Sequence, residues 1–331
     1  MLAFRAFITR FVLRCNPALW GKVKKIEQDV FRRSGENPKH HWIFDHFSAF
    51  RGEVPTNFHV TYIGDRVRDD IVDWEGHRND VATAPDLPPF DCEYFEWLDI
   101  LETVYSAGRT FTMLELGAGY GRWTSRAALA AAQLGKSVQF GLVESDPKHL
   151  IWLKQCMEDN GIKAENYRCF EGVVAGKAGK CMFQIELPES AKVKNWFGQA
   201  IAQKAGNLHV DSELHYGYKK MCSHEGAFIE VRQFALSDIL REFEDIDIVH
   251  IDIQGAEADA IQEGARMLKQ KAKRLNIGTH GHDIEARLRR TLSSWGWVCL
   301  RDYPCNQTNE TIFGRISFVD GLQTWVNPSR I

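Results

Sequence analysis

Apolar runs of strand length alternate with amphipathic stretches of helical spacing along most of the chain. The run at 111–116 is followed by a helical pattern, and so are the runs at 137–144 and 246–253. Strands that are apolar on both faces are typical of a parallel sheet covered by helices, and each helix returns the chain to the same end of that sheet. The pattern therefore predicts an α/β domain built from repeated strand–helix units.

Two parts of the chain depart from this rhythm. An amphipathic helix is predicted at 90–106, but residues 34–92 are rich in Pro, Gly, Asp and His and have weak periodicity. Residues 175–228 are too long for a simple connection, and long inserts in compact domains are often lids or substrate loops. We expect an N-terminal basic helix and irregular extension at 1–90, followed by an α/β domain at 91–331 that carries this insert.

Three glycines at alternate positions follow the first apolar run, in the sequence E-L-G-A-G-Y-G of residues 115–121. Glycine tolerates the positive φ of a tight turn and lets a ligand approach the backbone. The helix predicted to start at about Arg122 presents free N–H groups. A dinucleotide fingerprint would need a third glycine where Arg122 stands, so a nicotinamide-dependent enzyme is disfavoured. A glycine-rich turn without a ligand is the structural alternative.

Polar residues stand where later strands end, which is where open α/β sheets bind ligands. Glu144 ends the second strand and could accept both hydroxyls of a ribose, because Asp146 and Pro147 already supply the cap and first residue of the next helix. Asp252 lies near the end of the fourth strand, and the fifth strand ends at residues 279–282. These positions predict a nucleotide-binding cleft at one edge of the sheet.

Composition narrows the class of protein. The net charge of −3 argues against a nucleic-acid partner, and no apolar stretch reaches the roughly 18 residues of a membrane span. The eight cysteines form no C-x-x-C pair, so neither a zinc site nor a disulfide framework is indicated, and a cytoplasmic location is expected. Residues 1–14 are amphipathic and basic, and packing on the protein body or on a partner is preferred over contact with a membrane surface.

The motifs together are more specific than any one of them. The form E-x-G-x-G-x-G resembles the first motif of class I S-adenosylmethionine-dependent methyltransferases. With V-E-S-D at 143–146, I-D-I-Q-G-A-E at 251–257 and I-G-T-H-G at 277–281, the chain resembles the FkbM family of methyltransferases over roughly residues 110–327, with the insert unmatched. The resemblance implies a Rossmann-like fold with a seven-stranded, mostly parallel sheet, the last strand antiparallel, and helices on both faces. It also implies methyl transfer from S-adenosylmethionine, usually to a hydroxyl of a sugar or natural product.

The resemblance also implies a set of cofactor-binding residues. In the family the acidic residue of the first motif lies near the methionine ammonium and the glycines pass under the ligand. Residues 165–174 are predicted to form a weaker third strand, and the end of this strand lies beside the adenine in this fold. The resulting set comprises Glu115, Gly117, Ala118, Gly119, Gly121, Glu144, Ser145, Gly172, Val173 and Asp252.

A hydroxyl is a poor nucleophile until a base or a metal weakens its hold on the proton. Asp252 and His280 are the first candidates for the base, and His282 is the second choice. Asp252 with Glu257 could instead hold a divalent cation such as Mg²⁺ through oxygen. Each first candidate has a structural alternative, since Asp252 could cap the following helix and His280 could order its loop.

Several questions stay open from the sequence. A non-catalytic protein of the same fold that binds the cofactor or a partner is the alternative to an enzyme. The acceptor, expected to be a small molecule or a saccharide, and the oligomeric state are not named by any motif. Side chains of the insert could line an acceptor pocket or could be solvated; these are His209, His215, Tyr216, Tyr218 and His224.

Overall fold

The structure is a computed structural model that describes residues 40–71, 85–186, 199–202 and 207–331. The basic segment 1–14, for which an amphipathic helix is predicted, lies outside these ranges. Within the described residues, no helix is both long enough and apolar enough to cross a lipid bilayer.

The predicted seven-stranded sheet is confirmed. Its strands are β3 Thr110–Leu116, β4 Ser137–Glu144, β5 Tyr167–Glu171, β11 Ile246–Ile251, β12 Ala272–Thr279, β13 Val298–Tyr303 and β16 Gly321–Val326. They lie in the order β13-β16-β12-β11-β3-β4-β5, and β16 alone runs antiparallel to its two neighbours. The other adjacent pairs are parallel. Between β13 and β16 the chain forms a hairpin of β14 Gln307–Thr311 and β15 Gly314–Phe318.

Helices cover both faces of this sheet. Alternate residues of β3 divide between two apolar clusters, with Phe111 and Met113 in one and Leu114 and Leu116 in the other, as the period of a strand requires. The helices are α1 Tyr94–Ser106, α2 Arg122–Gln133, α3 Pro147–Asp159, α4 Leu236–Leu240, α5 Glu257–Glu263, α6 Ala265–Lys271 and α7 His282–Ser294, with short 3-10 helices at Trp42–His46 and Ala164–Asn166.

The predicted cap of α3 is confirmed. The side chain of Asp146 accepts hydrogen bonds from the backbone N–H groups of Lys148 at 2.8 Å and His149 at 3.3 Å. Pro147 occupies the first helical position, where its missing N–H is not needed. Glu144 is therefore not required as the cap of this helix.

The insert was expected to form lids or loops, but its described residues belong to a second β-sheet. The second sheet consists of β6 Val173–Ala175, β7 Gly179–Glu186, β8 His209–His215, β9 Tyr218–Ser223 and β10 Gly226–Ala235. β10 pairs in parallel with β6 and antiparallel with β7 and β9. Residues 187–198 and 203–206 of the insert lie outside the described residues.

Gly172 is the point at which the chain leaves the first sheet for the second. The predicted third strand, at 165–174, is split there into β5 and β6. Gly172 has φ +150°, and a Cβ at this position would lie 2.3 Å from the carbonyl oxygen of Arg232. Only glycine fits this close approach of two backbones.

The described N-terminal residues 40–71 share the main apolar core. A short hairpin of β1 Phe58–Val60 and β2 Arg66–Arg68 follows the first 3-10 helix. The buried side chains of Ile43, Phe44 and Tyr62 belong to the same cluster as α1 and α2. This part of the extension, residues 40–71, is therefore packed on the α/β domain.

Acidic residues of α1 point toward the sheet rather than toward solvent. Asp99 is fully buried and accepts hydrogen bonds from Asn276 at 2.7 Å and from Thr324 at 2.5 Å. Its charge is balanced by Arg274 and Arg301, which also pair with Glu102. An ionic layer thus joins α1 to β12, β13 and β16.

Candidate functional site

One pocket opens at the carboxyl ends of β3, β4, β5 and β11 and is bounded on one side by the second sheet. Seven residues of the set proposed from the sequence lie in its wall. They are Gly117, Gly119, Glu144, Ser145, Gly172, Val173 and Asp252. The remaining three of that set, Glu115, Ala118 and Gly121, are not part of the wall.

The glycine turn is pressed against the end of β11. Gly117 has φ +80°, and a Cβ at this position would lie 1.9 Å from the carbonyl oxygen of Asp252. The N–H groups of Gly117 and Ala118 both donate to the carbonyl oxygen of Val143, at 3.0 and 2.9 Å. These contacts hold the turn between β4 and β11, so that its backbone rather than a side chain faces the pocket.

Glu115 is placed differently from the expectation. Its side chain is buried and caps α2: Oε1 accepts from the N–H of Trp123 at 3.2 Å, and Oε2 accepts from the N–H and the hydroxyl of Thr124 at 2.9 and 2.5 Å. Burial raises the pKa of Glu115, although the charge of His250 and these hydrogen bonds oppose the rise. Because the start of α2 occupies both oxygens, Glu115 supports the turn from behind and makes no wall of the pocket.

Glu144 faces the pocket at the end of β4. Its Oε2 accepts from the N–H of Gly119 at 2.7 Å, and its Oε1 accepts from the N–H groups of Ser145 and Asp146, both at 2.7 Å. An ionised carboxylate offers about four lone-pair directions. Three backbone donors thus fix the carboxylate and leave it capacity to accept from a ligand.

The insert contributes to the pocket through residues that the sequence analysis did not single out. Phe183 of β7 forms part of the pocket wall, together with Ala200 and Ile201. The histidines and tyrosines proposed for an acceptor pocket are absent from this wall. His209, Tyr216 and His224 are exposed, on β8 or in the turns on either side of β9, which favours the solvated alternative for these three side chains.

His149 and Gln254 are two further wall residues outside the sequence-based set. Nδ1 of His149 lies 3.8 Å from Oε1 of Glu144. Gln254 has φ +49° and donates from its Nε2 to Oδ1 of Asp252 at 3.0 Å. Positive φ is uncommon for a residue other than glycine, and it marks Gln254, two residues after Asp252, as a candidate site residue. The sequence alone does not reveal this conformation.

Asp252 lies at the edge of the pocket with 45% of its side chain exposed. Nε2 of His280 lies 3.3 Å from its Oδ1. Burial alone would raise the pKa of Asp252, but the contact with His280 and the hydrogen bond from Gln254 outweigh it and lower the pKa. The carboxylate is therefore ionised near neutral pH.

His280 is surrounded by carboxylates. Its Nδ1 lies 2.7 Å from Oε1 of Glu257, and its Nε2 faces Asp252 and, at 3.7 Å, Oδ1 of Asp320. Burial lowers the pKa of His280, but the hydrogen bonds and charges of Asp252 and Glu257 raise it to about 10. A protonated ring has no lone pair to accept a proton, so this geometry does not fit His280 as a general base.

Two further expectations concern a Mg²⁺ ion held by Asp252 and Glu257, and His282 as a second choice of base. Because the imidazole of His280 stands between Asp252 and Glu257, these carboxylates face opposite ring nitrogens rather than a common cation, which does not fit the suggested Mg²⁺ pair. His282 is 65% exposed and lies 3.1 Å from Oε2 of Glu285 through its Nδ1. It is not in the pocket wall.

Comparison with known proteins gives one family model, one curated relative and a number of solved structures. The family model described as "Methyltransferase FkbM domain" matches residues 115–291. A curated protein of Jannaschia sp. (strain CCS1), named "Putative methyltransferase", is 30% identical over 234 residues, which span 71% of this chain and 78% of that protein.

Two solved structures illustrate the structural comparison. Methyltransferase FkbM from Methylobacillus flagellatus KT has 13% sequence identity and a TM-score of 0.37, over 67% of this chain and 45% of that one. Precorrin-6y C5,15-methyltransferase from Geobacter metallireducens GS-15 has 12% identity and a TM-score of 0.38, over 70% of this chain and 85% of that one.

Proposed function

The chain belongs to the FkbM family of methyltransferases, and from this premise we propose that it transfers a methyl group from S-adenosylmethionine to a hydroxyl oxygen of a small molecule or saccharide. The observation that carries the proposal is the pocket at the ends of β3, β4 and β11. Its wall combines the glycine turn at Gly117 and Gly119 with two acids, Glu144 at the end of β4 and the partly exposed Asp252 after β11.

The residues present fit this cofactor. Glu144 is held by three backbone N–H groups and would accept hydrogen bonds from the two ribose hydroxyls. Gly117 and Gly119 let the ligand lie against the backbone, because no side chain projects from either position. Val173 and Phe183 supply an apolar wall for the adenine ring. When bound, the cofactor supplies an electrophilic methyl group on a sulfonium.

The chain must hold the acceptor oxygen in line with that methyl and receive its proton. Asp252 is suited to both tasks because it is ionised, half-exposed and at the pocket edge. His280 and Gln254 both contact Oδ1 of Asp252, so we assign Oδ2 to the acceptor hydroxyl. Alignment of this kind can remove several kcal/mol from the barrier of a bimolecular reaction.

His280 has a positioning role in this proposal. Glu257 holds the ring from the other side, which keeps Nε2 directed at Asp252. The positive charge beside Asp252 keeps that carboxylate ionised until the acceptor donates to it. On transfer, the acceptor oxygen would bond to the methyl carbon, the C–S bond would break and S-adenosylhomocysteine would leave. The hydroxyl proton would pass to Asp252, so no basic nitrogen is needed.

Calorimetric titration of the purified protein with S-adenosylhomocysteine tests the cofactor, with NADH as the matched control. We expect binding of S-adenosylhomocysteine at one site and no heat from NADH. Binding of NADH alone, or of neither compound, would contradict the proposal. A screen of hydroxylated acceptors by mass spectrometry, run with and without Mg²⁺, tests the transfer itself; cofactor binding without any methylated product would indicate a non-catalytic protein.

A further inference from the structure

A second cluster of side chains lies outside the pocket, where α7 begins. His282 is the first residue of α7, Glu285 follows one turn later, and Cys305 lies between β13 and β14. The ligand-type atoms of these three side chains all lie within 4.8 Å of one another. Nδ1 of His282 is 3.1 Å from Oε2 of Glu285 and 3.8 Å from Sγ of Cys305. From this arrangement we propose that the three side chains bind one Zn²⁺ ion.

The two separations that involve His282 are close to those of a tetrahedral zinc site. With Zn–N and Zn–O bonds near 2.1 Å and Zn–S near 2.3 Å, neighbouring ligand atoms stand about 3.4 Å apart for N and O and about 3.6 Å apart for N and S. The observed 3.1 and 3.8 Å differ from these by a few tenths of an ångström. Small rotations of the exposed His282 side chain close that difference.

Contacts around Glu285 fix its orientation. Its Oε1 accepts from the backbone N–H of Cys305 at 2.7 Å and from the hydroxyl of Thr279 at 3.3 Å. These donors leave Oε2 directed at His282, as outer-shell hydrogen bonds direct ligating carboxylates in metal sites. A Cβ on Gly321 would lie 2.7 Å from the same Oε1, so glycine there keeps this packing intact.

Arg289 is a competing charge on Oε2 of Glu285. Its Nη2 lies 3.4 Å from that oxygen, but its shorter contacts, 2.7 and 2.8 Å, are with the carboxylate of Asp302. The guanidinium is thus committed to Asp302 and can stay there when a cation binds Glu285.

The donor set selects the class of metal. A thiolate with an imidazole suits Zn²⁺, whereas Mg²⁺ and Ca²⁺ prefer oxygen ligands only. Glu285 and Cys305 are buried, and His282 is 65% exposed, which gives an entry path from solvent. Three protein ligands leave a fourth position for water. The ion would tie the start of α7 to the loop after β13, beside the loop that carries His280.

Sequence spacing gives no hint of this site. Zinc motifs are recognised by closely spaced cysteine pairs, whereas Cys305 is 20 residues beyond Glu285 and forms no such pair with Cys299. The fold brings the three ligands together by pairing β13 with β16 and packing α7 on that edge of the sheet.

Titration of the metal-free full-length protein with Co²⁺, a spectroscopic substitute for Zn²⁺, tests the proposal. We expect a thiolate-to-cobalt charge-transfer band that saturates at one ion per chain and is displaced by Zn²⁺. Cys305→Ser should abolish the band, and His282→Asn should weaken Co²⁺ binding at least about tenfold. Cys299→Ser is the matched control, because Cys299 lies on β13 and contacts the carbonyl oxygen of Arg301 instead.

Melting temperature provides a second readout that does not depend on activity. Zn²⁺ should raise the melting temperature of the wild type and of Cys299→Ser but not of Cys305→Ser or His282→Asn, and Mg²⁺ should raise none of them. If Cys305→Ser fails to fold, His282→Asn decides, since an exposed side chain can be changed without disturbing the core. The absence of a cobalt band, or a band of full strength in both ligand variants, would overturn the proposal.

Discussion

Nδ1 of His280 lies 2.7 Å from Oε1 of Glu257. This contact orients the imidazole so that its other nitrogen, Nε2, is 3.3 Å from Oδ1 of Asp252. Glu257 is fully buried and also accepts the N–H of Gly255 at 3.0 Å. A buried acid thus sets the direction of a histidine, and the histidine sets the direction of the acid at the edge of the pocket.

Asp252→Asn is expected to remove most of the methyl-transfer activity. Asparagine has the same shape but cannot receive a proton, and loss of a general base costs about 10²- to 10⁴-fold in kcat. Cofactor affinity should change little, because the proposed partners of the ribose and adenine stay in place. Single-turnover assays and calorimetry measure the two quantities separately. Full kcat in the Asp252→Asn protein would remove Asp252 from the chemistry.

Glu257→Gln tests whether Glu257 acts through His280. We expect kcat to fall by about 10- to 100-fold, the effect of weakening one hydrogen bond between charged groups, while the cofactor dissociation constant and the far-ultraviolet circular dichroism remain those of the wild type. Asp259→Asn is the matched control on the same helix, since Asp259 is exposed and pairs with Arg287. Equal losses in the two variants would argue against a specific role for Glu257.

Glu144→Ala should weaken cofactor binding by about 1–3 kcal/mol, the cost of losing a hydrogen bond to a buried charged group. Glu171→Ala is a close control: Glu171 is the register partner of Glu144 on the neighbouring strand, but it is exposed and pairs with Lys154. Calorimetric titration with S-adenosylhomocysteine measures both. Unchanged affinity in a folded Glu144→Ala protein would remove this residue from the site.

Gly117→Ala is expected to destabilise the protein by more than about 2 kcal/mol, through strained backbone and a clash with the carbonyl oxygen of Asp252. Gly135→Ala separates these effects. Gly135 also has positive φ, +64°, but a Cβ there would meet nothing within 4 Å, so only the backbone cost of about 1 kcal/mol applies. Urea unfolding compares the two variants. Equal destabilisation would show that the close approach of the turn to Asp252 is unimportant.

Local signals explain which parts of the site could be predicted from the sequence. Gly117 and Glu144 each stand at the end of an apolar run, and a strand end needs no long-range information to be recognised. Glu115 shows the limit of this reasoning. The apolar run predicts that Glu115 lies near the end of β3, as it does. Whether its carboxylate faces a ligand or the start of α2 depends on Thr124, whose hydroxyl and N–H both donate to it.

Nonlocal pairing explains what could not be predicted. Phe183 reaches the pocket because β7 pairs with β10, and its register partner is Ile229, far along the chain. The insert had weak strand signals, so its sheet could not be assembled from the pattern alone. The acids of α1 are a similar case: Asp99 and Glu102 have the spacing of a solvated helix face, but their arginine partners come from strands more than 170 residues away.

The pairing of Glu102 with Arg301 and Arg274 leads to a prediction about acid stability. Burial alone would raise the pKa of Glu102, but the two guanidinium groups outweigh it and lower the pKa from 4.5 to about 2. A carboxyl whose pKa is lower in the folded than in the unfolded state stabilises the fold. This stabilisation is fully present at pH values above the pKa of the unfolded state. That stabilisation is lost as the pH falls from about 4.5 toward 2.

Glu102→Gln should therefore be less stable than the wild type near neutral pH, by up to about 3 kcal/mol. The gap should narrow as the pH is lowered below about 4.5, because the carboxyl of the unfolded wild type then takes up a proton, which favours unfolding, whereas the folded carboxyl stays charged until the pH approaches about 2. Urea unfolding over a pH series measures the gap. Glu165→Gln, at an exposed position paired with Lys163, should show no such trend. A gap that stays constant down to about pH 3 would mean that Glu102 contributes through packing rather than through its charge.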